Sequence, residues 1–320
     1  MVSSVLGSVI AVISNILTII FTFTGLFGGL SEPATDNAIK FQDADNCRLA
    51  FVALADTHLR DTAFQPYLFE CGLKDIDNAE DKFDALVIAG DVSEFGDGPS
   101  YEVTWAALDN SEIGKKAVLL ATGNHDIRLA YEYQTELLMN RNSETLGIEI
   151  DKPYYSYEIN GYSFFVMGSD TWEFEKAGIS EEQLAALDAV LEAADGKPTF
   201  VICHQPLADT HGLPEVWKNG DLGEDSAAVK EVLMKHSNVF YLNGHLHDGV
   251  YENSLEVFDE ENGVYSINLP AYGKENDYGK FLQNGLGAYV EVYDDSVVFT
   301  ARDFAAGADL EGYTYTFDIK

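Results

Sequence analysis

Short apolar runs alternate with amphipathic stretches along most of the chain. Three of the apolar runs have the length of strands, and the stretches between them repeat apolar residues with helical spacing. The runs lie at 49–55, 85–89 and 117–121, and the stretches at about 65–80 and 99–110. This order predicts a β-α-β-α-β arrangement, which is typical of a parallel sheet flanked by helices.

Elements of the same kinds are predicted further along. Residues 154–159 and 162–167 flank Asn160-Gly161, the strongest short signal for a β-hairpin in the chain. Further helices are predicted after Ser180 and at 226–235, with strands at 200–203 and 239–242. Short Tyr- and Val-rich runs beyond Asp248 predict several closing strands. No internal repeat interrupts this pattern, so we predict one α/β domain over residues 48–320.

The first thirty residues differ from the rest because they hold no charged side chain. Residues 5–30 are long enough, at about 1.5 Å per helical residue, to cross the roughly 30 Å apolar core of a bilayer. We predict that residues 1–30 form a hydrophobic helix that anchors the chain in a membrane. Secretion after cleavage of a signal peptide is the alternative, although no basic n-region or cleavage site is clear. We expect the body to be extracellular and the polar residues 31–47 to form a linker.

The composition narrows the class of protein. The 320 residues include 54 acidic and 19 basic ones, for a net charge of −35, and 46% are apolar. A chain this apolar can bury a large core, so it is globular. Its few basic residues are scattered and form no stripe along which a phosphate backbone could bind, so no nucleic-acid partner is expected. The three cysteines fit neither a zinc ribbon nor a disulfide framework.

Residues of one chemical kind follow five of the predicted strands. Five of the seven histidines in the chain lie in these segments. The segments are Asp56-Thr57-His58, Gly90-Asp91, Gly123-Asn124-His125-Asp126, His204 and Gly244-His245-Leu246-His247. Ligand sites of open α/β sheets gather at the carboxyl ends of strands, so the five segments are expected to converge. Carboxylates and imidazoles in such a set are the ligands that a pair of divalent cations requires.

In this order, the segments resemble the pattern D-x-H, G-D, G-N-H-(D/E), H and G-H-x-H of the calcineurin-like metallophosphoesterases. The resemblance covers about residues 48–300 and implies a four-layer α/β/β/α sandwich with two divalent metal ions, Mn, Fe or Zn. It also implies the ligands: Asp56, His58 and His247 for one ion, Asn124, His204 and His245 for the other, and Asp91 for both. His125 would stand near the substrate, with Asp126 hydrogen-bonded to its other ring nitrogen.

These implied roles agree with the chemistry of phosphoester hydrolysis. Two cations lower the pKa of a shared water, and the hydroxide that bridges them attacks phosphorus in line. A protonated His125 would act as general acid toward the leaving alkoxide, and Asp126 would favour the charged imidazolium. The expected activity is therefore that of a phosphodiesterase or phosphatase acting on a small phosphoester. A catalytically silent binding module on the same fold and a protein phosphatase are the alternatives.

Local departures refine the resemblance. Purple acid phosphatases place a tyrosine soon after the bridging aspartate, whereas Asp91 is followed by Val92-Ser93-Glu94, so a purple iron centre is not expected. The first two segments look more like the bacterial branch that includes cyclic-nucleotide phosphodiesterases. Arg60 and Arg128 are candidate substrate-phosphate ligands, with ion pairing to surface acids as the alternative. His211 is expected to be a solvated loop residue, and lining of the pocket is its alternative.

Overall fold

A computed structural model describes residues 37–213, 220–277 and 279–320. The α-helices of this part are α1 (Phe64–Asp77), α2 (Gly98–Asp109), α3 (Asn124–Ile127), α4 (Tyr131–Leu146), α5 (Glu181–Ala193) and α6 (Ser226–Leu233). The strands are β1 (Leu49–Leu54), β2 (Ala85–Ile88), β3 (Ala117–Leu120), β4 (Tyr155–Ile159), β5 (Tyr162–Val166), β6 (Thr199–Ile202), β7 (Val239–Asn243), β8 (Leu255–Asp259), β9 (Val264–Asn268), β10 (Leu286–Val292), β11 (Ser296–Asp303) and β12 (Ala308–Asp318).

These strands form two six-stranded sheets. The first has the order β12-β11-β10-β1-β2-β3, in which β1, β2 and β3 are parallel and β10 to β12 are antiparallel. The second has the order β4-β5-β6-β7-β9-β8, in which β5, β6, β7 and β9 are parallel. The prediction of a mixed α/β fold is confirmed, and the closing strands divide between the two sheets.

The two sheets pack face to face. Successive residues of each strand point to opposite sides of its sheet, so every second side chain lies between the sheets. Phe51 of β1 points between the sheets, where its ring centroid lies 5.2 Å from that of Phe164 and 4.7 Å from that of Phe200. The next residue, Val52, belongs instead to a separate buried cluster with α1 and α2. Val201 of the second sheet packs in the same way against α5 and α6. Helices therefore cover the outer face of each sheet.

Helix α4 is a long element that the apolar periodicity does not predict. Its buried face is largely polar, with Gln134, Thr135 and Asn142 beside Leu138 and Leu146. The Asn142 side chain accepts a hydrogen bond from the backbone N–H of Leu120 at 3.1 Å and donates to its carbonyl at 2.9 Å. Because β3 lies at the edge of its sheet, these backbone groups have no further strand to pair with. A polar residue is thus required where a helix would usually bury an apolar one.

The packed body begins before the predicted boundary at residue 48. Ile39 and Phe41 are buried, and the backbone N–H of Phe41 donates to Asp81. The second part of the predicted linker, from residue 37 on, therefore lies on the domain. The predicted hydrophobic helix at residues 1–30 lies outside the described residues and stays a prediction. Of the helices in the described ranges, none is both long and apolar enough to cross a membrane.

A buried ion-pair cluster joins the two ends of the domain. Arg302 of β11 is 1% exposed and donates two hydrogen bonds to Asp75 of α1, at 2.7 and 2.9 Å. It also donates to Asp309 of β12 at 2.7 Å and to the carbonyl of Asn37 at 2.8 Å. The guanidinium therefore connects a helix, two strands and the start of the described chain.

Removal of this guanidinium is expected to destabilise the fold strongly. Arg302→Met leaves the buried Asp75 carboxylate without a partner, so the free energy of unfolding should fall by about 3–5 kcal/mol. Denaturant unfolding followed by circular dichroism measures the change. Arg48→Met is the matched control, because the Arg48–Asp294 pair is exposed and its loss should leave the midpoint nearly unchanged. Equal effects of the two substitutions would contradict this account of the cluster.

Candidate metal centre

The loops that follow β1, β2, β3, β6 and β7 meet at one end of the two sheets. Backbone hydrogen bonds join them directly, from Asp56 to the Gly90 carbonyl at 3.1 Å and from His58 to the Asp91 carbonyl at 2.9 Å. Two carboxylates add further links. Asp56 Oδ2 accepts from the backbone N–H of His245 at 2.9 Å, and Asp91 Oδ1 accepts from that of His125 at 2.8 Å. The five segments therefore converge, as the sequence predicts.

Two of the glycines in these segments are required by the close approach of the loops. A Cβ on Gly123 would lie 2.1 Å from Asp91 Oδ1, and one on Gly244 would lie 2.4 Å from Asp56 Oδ2. Neither carboxylate can move aside, because each is buried and hydrogen-bonded to another loop. The glycine that precedes Asn124 and the one that precedes His245 therefore allow the strand ends to come together.

Unusual backbone geometry marks the same residues. Five of the seven predicted metal ligands have positive φ, in the left-handed region that non-glycine residues seldom occupy. These are Asp56 (53°), His58 (44°), Asp91 (48°), His245 (72°) and His247 (49°). Each such conformation costs on the order of 1 kcal/mol and persists only where the surroundings impose it. Concentrated backbone strain of this kind is typical of functional sites.

The predicted ligands form two groups that share one member, and a third candidate group joins His58 to Glu94 and His125. Asp56, His58, Asp91 and His247 offer ligand atoms that all lie within 4.8 Å of one another, and Asp91, His204 and His245 form a second such group. Asp91 Oδ2 lies 3.5 Å from His58 Nε2, and Asp91 Oδ1 lies 3.4 Å from His204 Nε2. The two oxygens of this carboxylate thus face different groups.

The chemistry of the cluster suits cations. The Nε2 atoms of His58 and His247 are only 2.9 Å apart, and the buried Asp56 Oδ1 lies 3.2 Å from His247 Nε2. Burial opposes ionisation of both carboxylates, but His247 lowers the pKa of Asp56 to about 2 and His204 lowers that of Asp91 well below its usual value. Buried carboxylates beside imidazole nitrogens form a set of ligands suited to divalent metal ions.

Surrounding residues orient these donors. His204 Nδ1 donates to the Ala89 carbonyl at 2.9 Å, which leaves Nε2 as the nitrogen that faces Asp91. Asn124 Nδ2 donates to Glu175 Oε2 at 2.7 Å, so that Asn124 Oδ1 points to the cluster, 3.1 Å from His204 Nε2. Such outer contacts fix the tautomer and direction of metal-binding side chains.

Glu94 and Lys274 stand beside the first group, and neither was predicted as a site residue. Glu94 Oε2 lies 3.1 Å from His58 Nδ1 and 3.0 Å from Lys274 Nζ. Burial opposes the ionisation of Glu94, but its contacts with His58 and Lys274 lower its pKa to about 2. The position of Glu94, three residues after Asp91, was a signal in the sequence that it lies near the site. Lys274, like Glu175, lies far from every motif, so only the fold reveals its position.

The predicted contact between Asp126 and His125 is wrong. His125 Nδ1 instead bonds the backbone carbonyl of Glu94 at 2.9 Å, and burial lowers the pKa of His125 rather than favouring its charged form. Asp126 points away because it accepts four hydrogen bonds, two on each oxygen. The donors are Val92 N, Ser93 N, Gly123 N and the Tyr101 hydroxyl, at 2.9 to 3.1 Å. Its carboxylate holds two of the site loops together.

Three further residues were singled out in the sequence, the two arginines Arg60 and Arg128 and the histidine His211. Among the described residues, neither Arg60 nor Arg128 forms an ion pair with a carboxylate, and Nε of each is buried without a hydrogen-bond partner. The expectation that His211 is solvated is wrong, since it is fully buried. Its Nδ1 lies 2.6 Å from the Asn253 carbonyl and its Nε2 lies 2.8 Å from Ser266 Oγ, so both ring nitrogens have a buried polar partner.

The sequence pattern of the calcineurin-like phosphoesterases matches residues 49–249, which is well over half of the chain. The chain belongs to this family. A 3′,5′-cyclic-nucleotide phosphodiesterase from Nostoc sp. is 22% identical over 176 residues, which are 55% of this chain and 60% of that protein. The chain thus spans less than two thirds of the length of this relative.

Solved structures of the family share the fold. A dimetal phosphatase from Danio rerio superimposes with a TM-score of 0.61 and 17% identity, over 86% of this chain and 100% of that one. A purple acid phosphatase from yellow lupin seeds gives a TM-score of 0.59 and 12% identity, over 84% of this chain and 53% of that one. At these identities the likeness concerns architecture alone.

Loss of the Asp126 carboxylate is expected to loosen the site. In Asp126→Asn an amide NH₂ replaces one oxygen and faces two N–H or O–H donors, so unfolding should become easier by about 3 kcal/mol and Mn²⁺ affinity should fall. Tyr101→Phe, which removes a single donor, should cost only about 1 kcal/mol. Denaturant unfolding and calorimetric Mn²⁺ titration measure the two quantities. Unchanged stability and affinity in Asp126→Asn would refute this role for the carboxylate.

Proposed function

We propose that this protein hydrolyses small phosphoesters with the help of two divalent metal ions. The observation that carries the proposal is the Asp91 carboxylate, whose two oxygens face two separate groups of candidate ligands. A single structural ion would need only one such group. Family membership and the cyclic-nucleotide phosphodiesterase among the relatives support a phosphoric ester, and favour a phosphodiester as the first substrate to test.

The two groups support the carboxylate and imidazole ligands proposed from the sequence. Asp56, His58 and His247 would hold one ion, and Asn124, His204 and His245 would hold the other, with Asp91 shared. When bound, such ions polarise a phosphoryl oxygen and lower the pKa of water, as Mn, Fe and Zn all do with oxygen and nitrogen ligands. Asn124 contributes a neutral oxygen to the second set, which limits the negative charge that an anionic substrate meets.

His125 is the proposed proton donor to the leaving oxygen. Its side chain is 18% exposed, and its Nε2 lies 4.0 Å from Asp91 Oδ2. Because Nδ1 is held by the Glu94 carbonyl, Nε2 is the nitrogen that is available to a substrate. Burial disfavours its protonated form in the free protein, whereas the negative charge of a bound phosphate favours that form. Proton delivery would then begin with substrate binding.

Arg60 and Arg128 are the proposed contacts to the substrate phosphate. Both follow a ligand segment closely, and the described residues provide no carboxylate partner for either. A guanidinium whose N–H groups lack acceptors can bind a phosphate oxygen without first breaking an ion pair. The net charge of −35 disfavours the binding of polyanions, so these contacts fit a small substrate.

Metal-dependent turnover is the first expected result. The full chain, purified in detergent, should hydrolyse bis-p-nitrophenyl phosphate or p-nitrophenyl phosphate with added Mn²⁺ and lose activity with a chelator. Asp91→Asn should lower kcat/KM by at least about 100-fold, since it removes the ligand that both groups share. Asp195→Asn is the control, because Asp195 is exposed and asparagine tolerates its positive φ. Failure to turn over either ester with any divalent metal would disprove the function.

The role of His125 predicts a dependence on the leaving group. His125→Ala should lower kcat by about 100-fold for an alkyl phosphoester, whose alkoxide needs a proton, and by less than about tenfold for a p-nitrophenyl ester. Steady-state kinetics on both esters provide the comparison. His236→Ala, in which the lost imidazole pairs with Asp188, should affect neither. Equal losses for both leaving groups would argue against proton donation by His125.

A further inference from the structure

Large apolar side chains stand in solvent beside the candidate metal centre. Phe95, Leu129, Trp172 and Phe174, which we term the apolar rim, are 43%, 69%, 55% and 55% exposed. They are four of the nine large apolar side chains that are exposed among the described residues. Scattered exposed hydrophobic residues are ordinary, but a cluster of them marks a binding surface.

The loops that carry the rim are tied to one another. Gln134 Nε2 donates to the Phe95 carbonyl at 2.6 Å, and Gln134 Oε1 accepts from the backbone N–H of Leu129 at 3.0 Å. Trp172 Nε1 donates to the Arg128 carbonyl at 3.0 Å. The rim therefore presents its rings from a fixed frame, which lowers the entropy lost when a ligand binds.

The rim also continues directly into the metal cluster. Phe95 follows Glu94, whose carbonyl holds His125, and Phe174 precedes Glu175, whose carboxylate holds Asn124. A substrate whose phosphate binds at the centre would therefore place a neighbouring group on the rim. Since His125 is the proposed proton donor, the rim lies on the side of the leaving group.

Arg128 gives the rim a preference for flat rings. Its Cζ lies 5.6 Å from the centroid of the Phe174 ring, a cation–π arrangement, and its Nε and Nη2 have no hydrogen-bond partner among the described residues. A planar cation against an exposed ring forms a surface on which aromatic groups stack.

We propose that the apolar rim binds a planar aromatic group on the leaving alcohol, which makes a nucleotide the substrate class of this site. The proposal rests on the phosphoesterase function proposed above. Exposed aromatic side chains stack on any base through its π-face. A lipid fits less well, because the exposed carboxylate of Glu173 separates Trp172 from Phe174 and the protein carries a net charge of −35.

Matched substrates with and without a base test the proposal. The full chain with Mn²⁺ is assayed on 3′,5′-cyclic AMP against the 3′,5′-cyclic phosphate of methyl riboside, and on AMP against methyl riboside 5-phosphate. The wild type should prefer the nucleotide by about 100-fold in kcat/KM, and Trp172→Ala and Phe174→Ala should each reduce this preference by about tenfold. Trp172→Phe should retain most of it. Met234→Ala, an equally simple truncation of an exposed residue, should not change it.

A binding measurement keeps this test separate from that of the proposed function. Nucleotide should quench the tryptophan fluorescence of the wild type, and less so in Trp172→Phe, whether or not it is hydrolysed. If neither pair nor the p-nitrophenyl esters are turned over, the phosphoesterase function is disproved, and quenching then still decides on the rim. Turnover of the p-nitrophenyl esters without turnover of either nucleotide would overturn the proposal. Equal kcat/KM values within each pair, variants that slow both members alike, or preference for a glycerophospholipid in micelles would overturn the proposal.

Discussion

The site depends on two buried carboxylates, each of which binds the backbone of a distant loop and also faces imidazole nitrogens. Asp56 uses Oδ2 to bind the backbone of His245, and Asp91 uses Oδ1 to bind that of His125, so each anchors a loop from a distant part of the chain. Asp56 Oδ1 and both oxygens of Asp91 also face imidazole nitrogens. The same two residues therefore hold the loops together and concentrate negative charge where cations would bind. Structure and chemistry cannot be varied independently at these positions.

Much of this arrangement follows from sequence because it obeys rules of topology. Parallel strands end at one edge of a sheet, so residues such as His58 and Asp91, which follow the neighbouring parallel strands β1 and β2, were expected to meet. The hairpin at Asn160-Gly161 is of the same kind, since both residues have the positive φ that its turn requires. In each case a local pattern is sufficient, because the geometry it demands is independent of distant side chains.

Features that depend on particular partners could not be predicted. Helix α4 was missed because Asn142 meets an unpaired strand edge, which no periodicity of the helix reveals. Asp126 was assigned to the wrong neighbour because four donors from two loops and α2 compete for it. Glu175 and Lys274 reach the site from loops that carry no motif. Outer contacts of a site are thus a property of the folded surface, even where the inner residues follow a sequence pattern.

The position of β1 has a consequence for biosynthesis. This strand precedes Asp56 and lies between β2 and β10, so Leu49 near one end of the domain pairs with Val292 near the other. Until the ribosome has released the last strands, β1 has an unpaired edge, and contacts of such large sequence separation form late. Completion of the first sheet, and with it a settled position for the loop after β1, therefore waits until β10 has left the ribosome. Chains interrupted before β10 would keep that edge open to other chains.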